Sequence, residues 1–109
     1  MAKIAIAEES TIVGINLKRT LEREGLDVTR VKKVEDCKSD YDLAIISQTM
    51  DEIGKFGEAF DEKNIPVVYL TTRHLPAKFK ERTPFAKLYL PKPINPTEFK
   101  QTINDILSQ

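Results

Sequence analysis

Tyr41-Asp42-Leu43-Ala44-Ile45-Ile46-Ser47 decides how this chain reads. Four apolar residues run unbroken from Leu43 to Ile46 and stop at a small hydroxyl residue, Ser47. A short apolar run without polar alternation is a strand buried on both faces, as in a parallel sheet covered by helices. In such sheets ligands bind in the crevice outside the carboxyl ends of the strands. Ser47 is therefore expected on the floor of a site.

The segments on either side alternate in type. Lys3–Ala7 reads as a first strand ending at two acids, Glu8 and Glu9. Ser10 or Thr11 can cap a helix whose buried face is Ile12, Val13, Leu17 and Leu21, closed by Gly25. Residues 27–31 form a half-polar strand that suits a sheet edge, and residues 34–38 leave room for only a short helix. A third helix is expected over residues 51–63, with the face Ile53, Phe56, Ala59 and Phe60 and an end at Asn64. Asp51 and Glu52 favour its N-terminus; Gly54 and Gly57 weaken it by up to about 1 kcal/mol each. Residues 67–70 are a fourth strand ending at Thr71 and Thr72. Pro76 and Pro84 bracket a short fourth helix over residues 77–82. Residues 86–90 are a fifth strand, stopped or confined to an edge by Pro91. Thr97 lies near the start of a last helix with the face Phe99, Ile103, Ile106 and Leu107.

Alternation at these lengths predicts an α/β fold, a doubly wound five-stranded parallel sheet of order 2-1-3-4-5 with helices on both faces. Strands 1, 3 and 4 are then central. The 109 residues suit one domain. Seventeen basic and seventeen acidic residues cancel, which gives no reason to expect nucleic acid or membrane binding. The charges are unevenly placed. Residues 35–72 hold nine acids and three bases, and residues 73–109 hold seven bases and three acids. The single cysteine, Cys37, excludes an internal disulfide and fits a reducing compartment. No apolar run approaches a membrane span and the start lacks a signal-peptide core, so a cytoplasmic location is expected.

The predicted topology brings Glu8, Glu9, Ser47, Thr71, Thr72 and Lys92 to one crevice. Here the chain resembles the receiver domain of bacterial response regulators, over essentially its whole length. Lys-Ile-Ala-Ile-Ala-Glu-Glu-Ser is similar to the family's first strand with its acidic pair. Tyr-Asp-Leu-Ala-Ile-Ile-Ser, followed by Met50 and Gly54, is similar to the block that ends in the phosphoacceptor aspartate. Ile-Pro-Val-Val-Tyr-Leu-Thr-Thr carries the switch threonine position, Thr71. Tyr-Leu-Pro-Lys-Pro-Ile carries the switch aromatic, Tyr89, and the Lys92-Pro93 pair.

The resemblance implies signal transduction in a two-component phosphorelay, with no enzymatic activity of its own. It also implies Mg²⁺ held by the acidic pair and the acceptor. Ser47 departs from that pattern. Its hydroxyl is neutral where an aspartate is an ionised nucleophile, and no histidine in the constellation activates it. Mg²⁺ loses a charged ligand, so binding through Glu8 and Glu9 is expected to be weak or lost. Lys92 is expected to pair with Glu8 or Glu9. The only histidine, His74, reads as a solvated loop residue.

The expected function is a degenerate receiver, a pseudo-receiver acting as a phosphorylation-independent protein-interaction module. Its partner would be a kinase or output protein of a signalling pathway. The resemblance places the interaction face on the fourth helix, fifth strand and fifth helix, through which homodimers also form. Here that face carries Lys78, Lys80, Arg82, Lys87 and Tyr89, which suits an acidic partner. One alternative is a working phosphorelay receiver with a non-standard acceptor such as Asp51, or one whose native aspartate has been replaced at Ser47. A second is a small flavodoxin-like nucleotide or flavin binder. Against it, the first turn carries two glutamates in place of a glycine-rich phosphate loop.

Overall fold

A computed structural model describes residues 2–72 and 75–109. His74 lies outside the described residues. The elements in order are β1 (Lys3–Ala7), α1 (Thr11–Glu22), β2 (Asp27–Arg30), a single 3₁₀ turn (Val34–Asp36), β3 (Leu43–Ser47), α2 (Lys55–Asp61), β4 (Val67–Thr71), α3 (Ala77–Arg82), β5 (Leu88–Pro91) and α4 (Pro96–Leu107). The expected fourth and fifth helices are therefore α3 and α4.

The five strands form one sheet of order β2-β1-β3-β4-β5, and every pairing is parallel. All five residues of β3 and all five of β4 are buried, whereas β5 is half-exposed along its edge. The half-polar strand and Pro91 fall on the two edges, as expected.

Strand alternation divides the core in two. Ile4, Ile6, Leu43, Ile45, Val68 and Leu70 face one layer, where Leu17 and Leu21 of α1 meet Phe99 and Ile103 of α4. Ala5, Ala7, Ala44, Ile46, Val67 and Tyr69 face the other, with Cys37, Phe60 of α2 and Phe79 of α3. The Ser10 hydroxyl accepts from the Val13 amide and caps α1. Asn95 caps α4 in the same way, with Pro96 at its first position.

Three expectations need correction. Ile12 is 74% exposed. It lies five residues before Leu17, roughly 140° round the helix, and off the Gly14-Leu17-Leu21 stripe that touches the sheet. The third helix does not begin at Asp51. It begins at Lys55, after Gly54 at φ 75°. The Asp51 carboxylate accepts from the Phe56 and Gly57 amides, at 2.9 and 3.0 Å, and so caps the helix from a turn outside it. Ile53 in that turn is consequently 53% exposed rather than part of the buried face. The fifth strand runs from Leu88 and includes Pro91, whose missing amide matters little at a sheet edge.

Candidate functional site

The carboxyl ends of β1, β3, β4 and β5 gather the expected residues. The Ser47 side chain is essentially buried at the end of β3. Thr71, also buried, ends β4 beside it, and the Lys92 amide donates to the Thr71 carbonyl at 2.9 Å. A cis Lys92–Pro93 bond follows β5. Lys92 Nζ donates to Glu8 Oε2 at 3.1 Å and to Ser47 Oγ at 3.5 Å. Of the two glutamates, Lys92 therefore pairs with Glu8. The second Glu8 oxygen accepts from the Ser10 amide at 3.0 Å, tying the acid to the start of α1.

Glu9 is exposed and is reached through Thr49, a residue to which the sequence reading gave no role. The Thr49 hydroxyl donates to Glu9 Oε1. Thr49 Oγ1 also lies 2.9 Å from Ser47 Oγ. A hydroxyl has one hydrogen, and that of Thr49 goes to Glu9, so Ser47 is the donor to Thr49. The order is fixed: ammonium to Ser47, Ser47 to Thr49, Thr49 to the Glu9 carboxylate. Lys92 closes the set on Glu8. Thr49 could have been suspected from the polar run Ser47-Gln48-Thr49 that follows an all-apolar strand.

The charged and hydroxyl groups here are engaged with one another. One carboxylate is held by an ammonium and a backbone amide, the other by a hydroxyl, and the residue between them is neutral. Among the described residues no group of three or more His, Cys, Asp or Glu side chains could hold a metal. The Ser47 oxygen faces the Lys92 ammonium, and its hydrogen goes to Thr49.

Asp51, the alternative acceptor, is tied elsewhere. It is 2% exposed. Beyond the two α2 amides, it accepts from the Tyr69 hydroxyl at 2.6 Å. Burial first, and then the Asp51 carboxylate, push the Tyr69 hydroxyl far above the usual tyrosine range, so it stays a donor. Gln48 fills the space between β3 and the end of β4, its Oε1 accepting from the Thr72 amide at 3.0 Å.

Tyr89 is half-buried and lies nearly parallel to Tyr69, with ring centroids 6.0 Å apart. Its hydroxyl donates to the Thr83 carbonyl at 2.9 Å and lies 2.7 Å from the Thr83 hydroxyl, at the C-terminal end of α3. Lys80 Nζ sits 5.6 Å over its ring. Lys78, Lys80, Arg82 and Lys87 are all exposed. Lys87 borders a groove with Thr102, Asp105 and Ile106 of α4. Cys37 stands apart from the crevice, buried beneath the 3₁₀ turn, and burial raises its thiol from 9.0 to about 11. Among the described residues no helix is long and apolar enough to cross a membrane.

No protein-family model matches the chain, and no curated protein does. Solved structures do. A two-component response regulator from Clostridium difficile is similar with a TM-score of 0.85 at 19% identity, covering 100% of this chain and 98% of that one. The Vibrio cholerae chemotaxis protein CheY4 is similar at 0.82 and 21% identity, covering 97% and 98%. A response regulator receiver modulated diguanylate cyclase from Pelobacter carbinolicus is similar at 0.77 and 25% identity, covering 99% and 93%. With its all-parallel β2-β1-β3-β4-β5 sheet, the chain has the fold of response regulator receiver domains.

Proposed function

We propose that this chain is a degenerate receiver, a cytoplasmic signalling module that binds a protein partner without phosphoryl transfer and without catalysis of its own. The observation that carries this reading is the closed set Glu8–Lys92–Ser47–Thr49–Glu9. Every polar group that would hold a cation or attack a phosphoryl donor already has a partner inside the set. The crevice is held in one arrangement by the chain's own charges, so α3 and β5 are presented in one state. Lys78, Lys80, Arg82, Lys87 and Tyr89 form the docking face, and a kinase or output protein with an acidic surface is the partner it suits. Thr71 and Tyr89 keep the switch positions, and a partner protein rather than a phosphoryl group moves them.

The test is a titration of the protein with Mg²⁺ and then beryllofluoride, followed by NMR amide shifts. The expected result is no site-specific shift at Glu9, Ser47 or Thr71 at millimolar Mg²⁺. Saturable shifts at those amides that spread to Tyr89 would sink the reading and revive the phosphorelay alternative. Ser47→Asp is the control, since a third carboxylate adds the charged ligand that is missing. It is expected to gain Mg²⁺-dependent shifts at the same amides.

A further inference from the structure

The 3₁₀ turn, α2 and α3 lie side by side on one face of the sheet. Val34 and Cys37 border a groove whose other wall is Ala59 of α2 and Glu62 just after it. The turn before α2 abuts the end of α3, since a Cβ on Gly54 would stand 3.3 Å from the Arg82 carbonyl oxygen. Charge on this face is segregated. Segment 52–63 exposes four acids, Glu52, Glu58, Asp61 and Glu62, against Lys55 and Lys63. Helix α3 exposes three bases, Lys78, Lys80 and Arg82, against Glu81.

The two halves do not neutralise each other within the chain. The salt bridges among the described residues, Lys92–Glu8 and Lys100–Glu24, use none of these side chains. Three large apolar side chains are exposed among the described residues, Ile12, Val34 and Ile53. Two of them are on this face, and Ile53 sits in the seam between its acidic and basic halves.

A face that is acidic on one side of a seam and basic on the other is complementary to itself after a half-turn. We infer that the occupant of this face is a second copy of the chain, related by a two-fold axis through the seam at Ile53. α2 of each copy then lies on α3 of the other. The contact has an apolar centre and a charged rim, as specific interfaces do, and the symmetry closes it at two copies. The inference rests on the reading of α3 and β5 as a docking face and names its acidic partner. A homodimer through α3, β5 and α4 would set α3 against a poorer complement. The charges of α4 are Glu98, Asp105 and Lys100, and Lys100 already pairs with Glu24. Both helices are short, so the dimer is weak, and because its rim pairs are solvated it is salt-sensitive.

Sedimentation equilibrium across a concentration series tests this. The expected result is a monomer–dimer equilibrium that weakens about tenfold or more from low to high salt. Glu58→Lys with Asp61→Lys leaves both halves of the face net basic, and Lys78→Glu with Arg82→Glu leaves both net acidic. All four positions are exposed, and circular dichroism checks that both variants fold. Each variant alone should be monomeric, and an equimolar mixture should recover the dimer, because both contacts then join opposite charges. Ile53→Ser should weaken the wild-type dimer. A monomeric wild type at about millimolar concentration and low salt would overturn the inference, as would a mixture that stays monomeric. Species that grow beyond two copies would overturn the two-fold. None of these results bears on whether the crevice is silent to beryllofluoride, so the two readings fail separately.

Discussion

The two layers that cover the sheet are held in different ways. On one side, α1 and α4 are twelve residues each and bury regular apolar stripes, with their first turns capped by Ser10 and Asn95. On the other, a 3₁₀ turn, a seven-residue helix and a six-residue helix do the same job. Helices that short have too little apolar surface to position themselves. The chain compensates with a buried carboxylate and a cluster of rings. Asp51 gathers the Phe56 and Gly57 amides and the Tyr69 hydroxyl, and Tyr69 packs edge-on to Phe79 and parallel to Tyr89. One layer depends on area spread over many residues. The other depends on a few contacts, so single substitutions there should have larger and more local effects.

Asp51→Ala should break this arrangement most severely. It strands a buried hydroxyl and two amides at once, and the expected loss is about 3–5 kcal/mol in urea unfolding. Amide exchange should rise first in α2 rather than in α1. Gly57→Ala comes next. A Cβ there would lie 2.0 Å from the Tyr69 hydroxyl oxygen and 2.6 Å from Phe85. Neither ring can retreat without loosening Asp51 or β5, so about 1–3 kcal/mol should be lost despite alanine's better helix propensity. Ser10→Ala probes the other layer and should cost only about 1 kcal/mol, because the apolar stripe of α1 remains. An Asp51 variant no more destabilised than the Ser10 variant would show that the two layers are held alike.

The same contrast explains what could be read from the sequence. The unbroken run Leu43–Ile46, the edge character of residues 27–31 and the Phe99–Ile103 stripe are local patterns, and they fixed the strand order and the α1–α4 layer. The crevice was legible in outline because topology alone brings strand ends together. What periodicity does not encode is a side chain acting across several residues or between elements. The true start of α2 depends on a carboxylate five and six residues ahead of the amides it caps. The joining of Glu9 to Ser47 depends on Thr49, whose hydroxyl becomes relevant only when β1 and β3 lie side by side. Extending the helical period backwards onto Ile53 fails for the same reason, since it ignores the cap that interrupts it.

The smallest expected effect concerns alkaline pH, and it again separates the layers. The groups whose protonated forms are favoured by burial, Cys37, Tyr41 and Tyr69, all belong to the layer of short helices. For an acid whose neutral form is favoured in the folded state, the unfolded chain loses its proton first. The folded protein then binds more protons than the unfolded one, and stability falls as pH rises. For Cys37 the loss begins near the ordinary thiol value of 9.0 and is complete at about 11. Tyr69 adds to it above the ordinary tyrosine range. Urea unfolding of the wild type and of Cys37→Ala from pH 8 to 11 should therefore diverge. The variant starts lower, for want of a buried side chain, and loses less on the way up. Parallel curves would mean that the thiol ionises as readily in the fold as out of it, and that the 3₁₀ turn does not seal this side of the sheet.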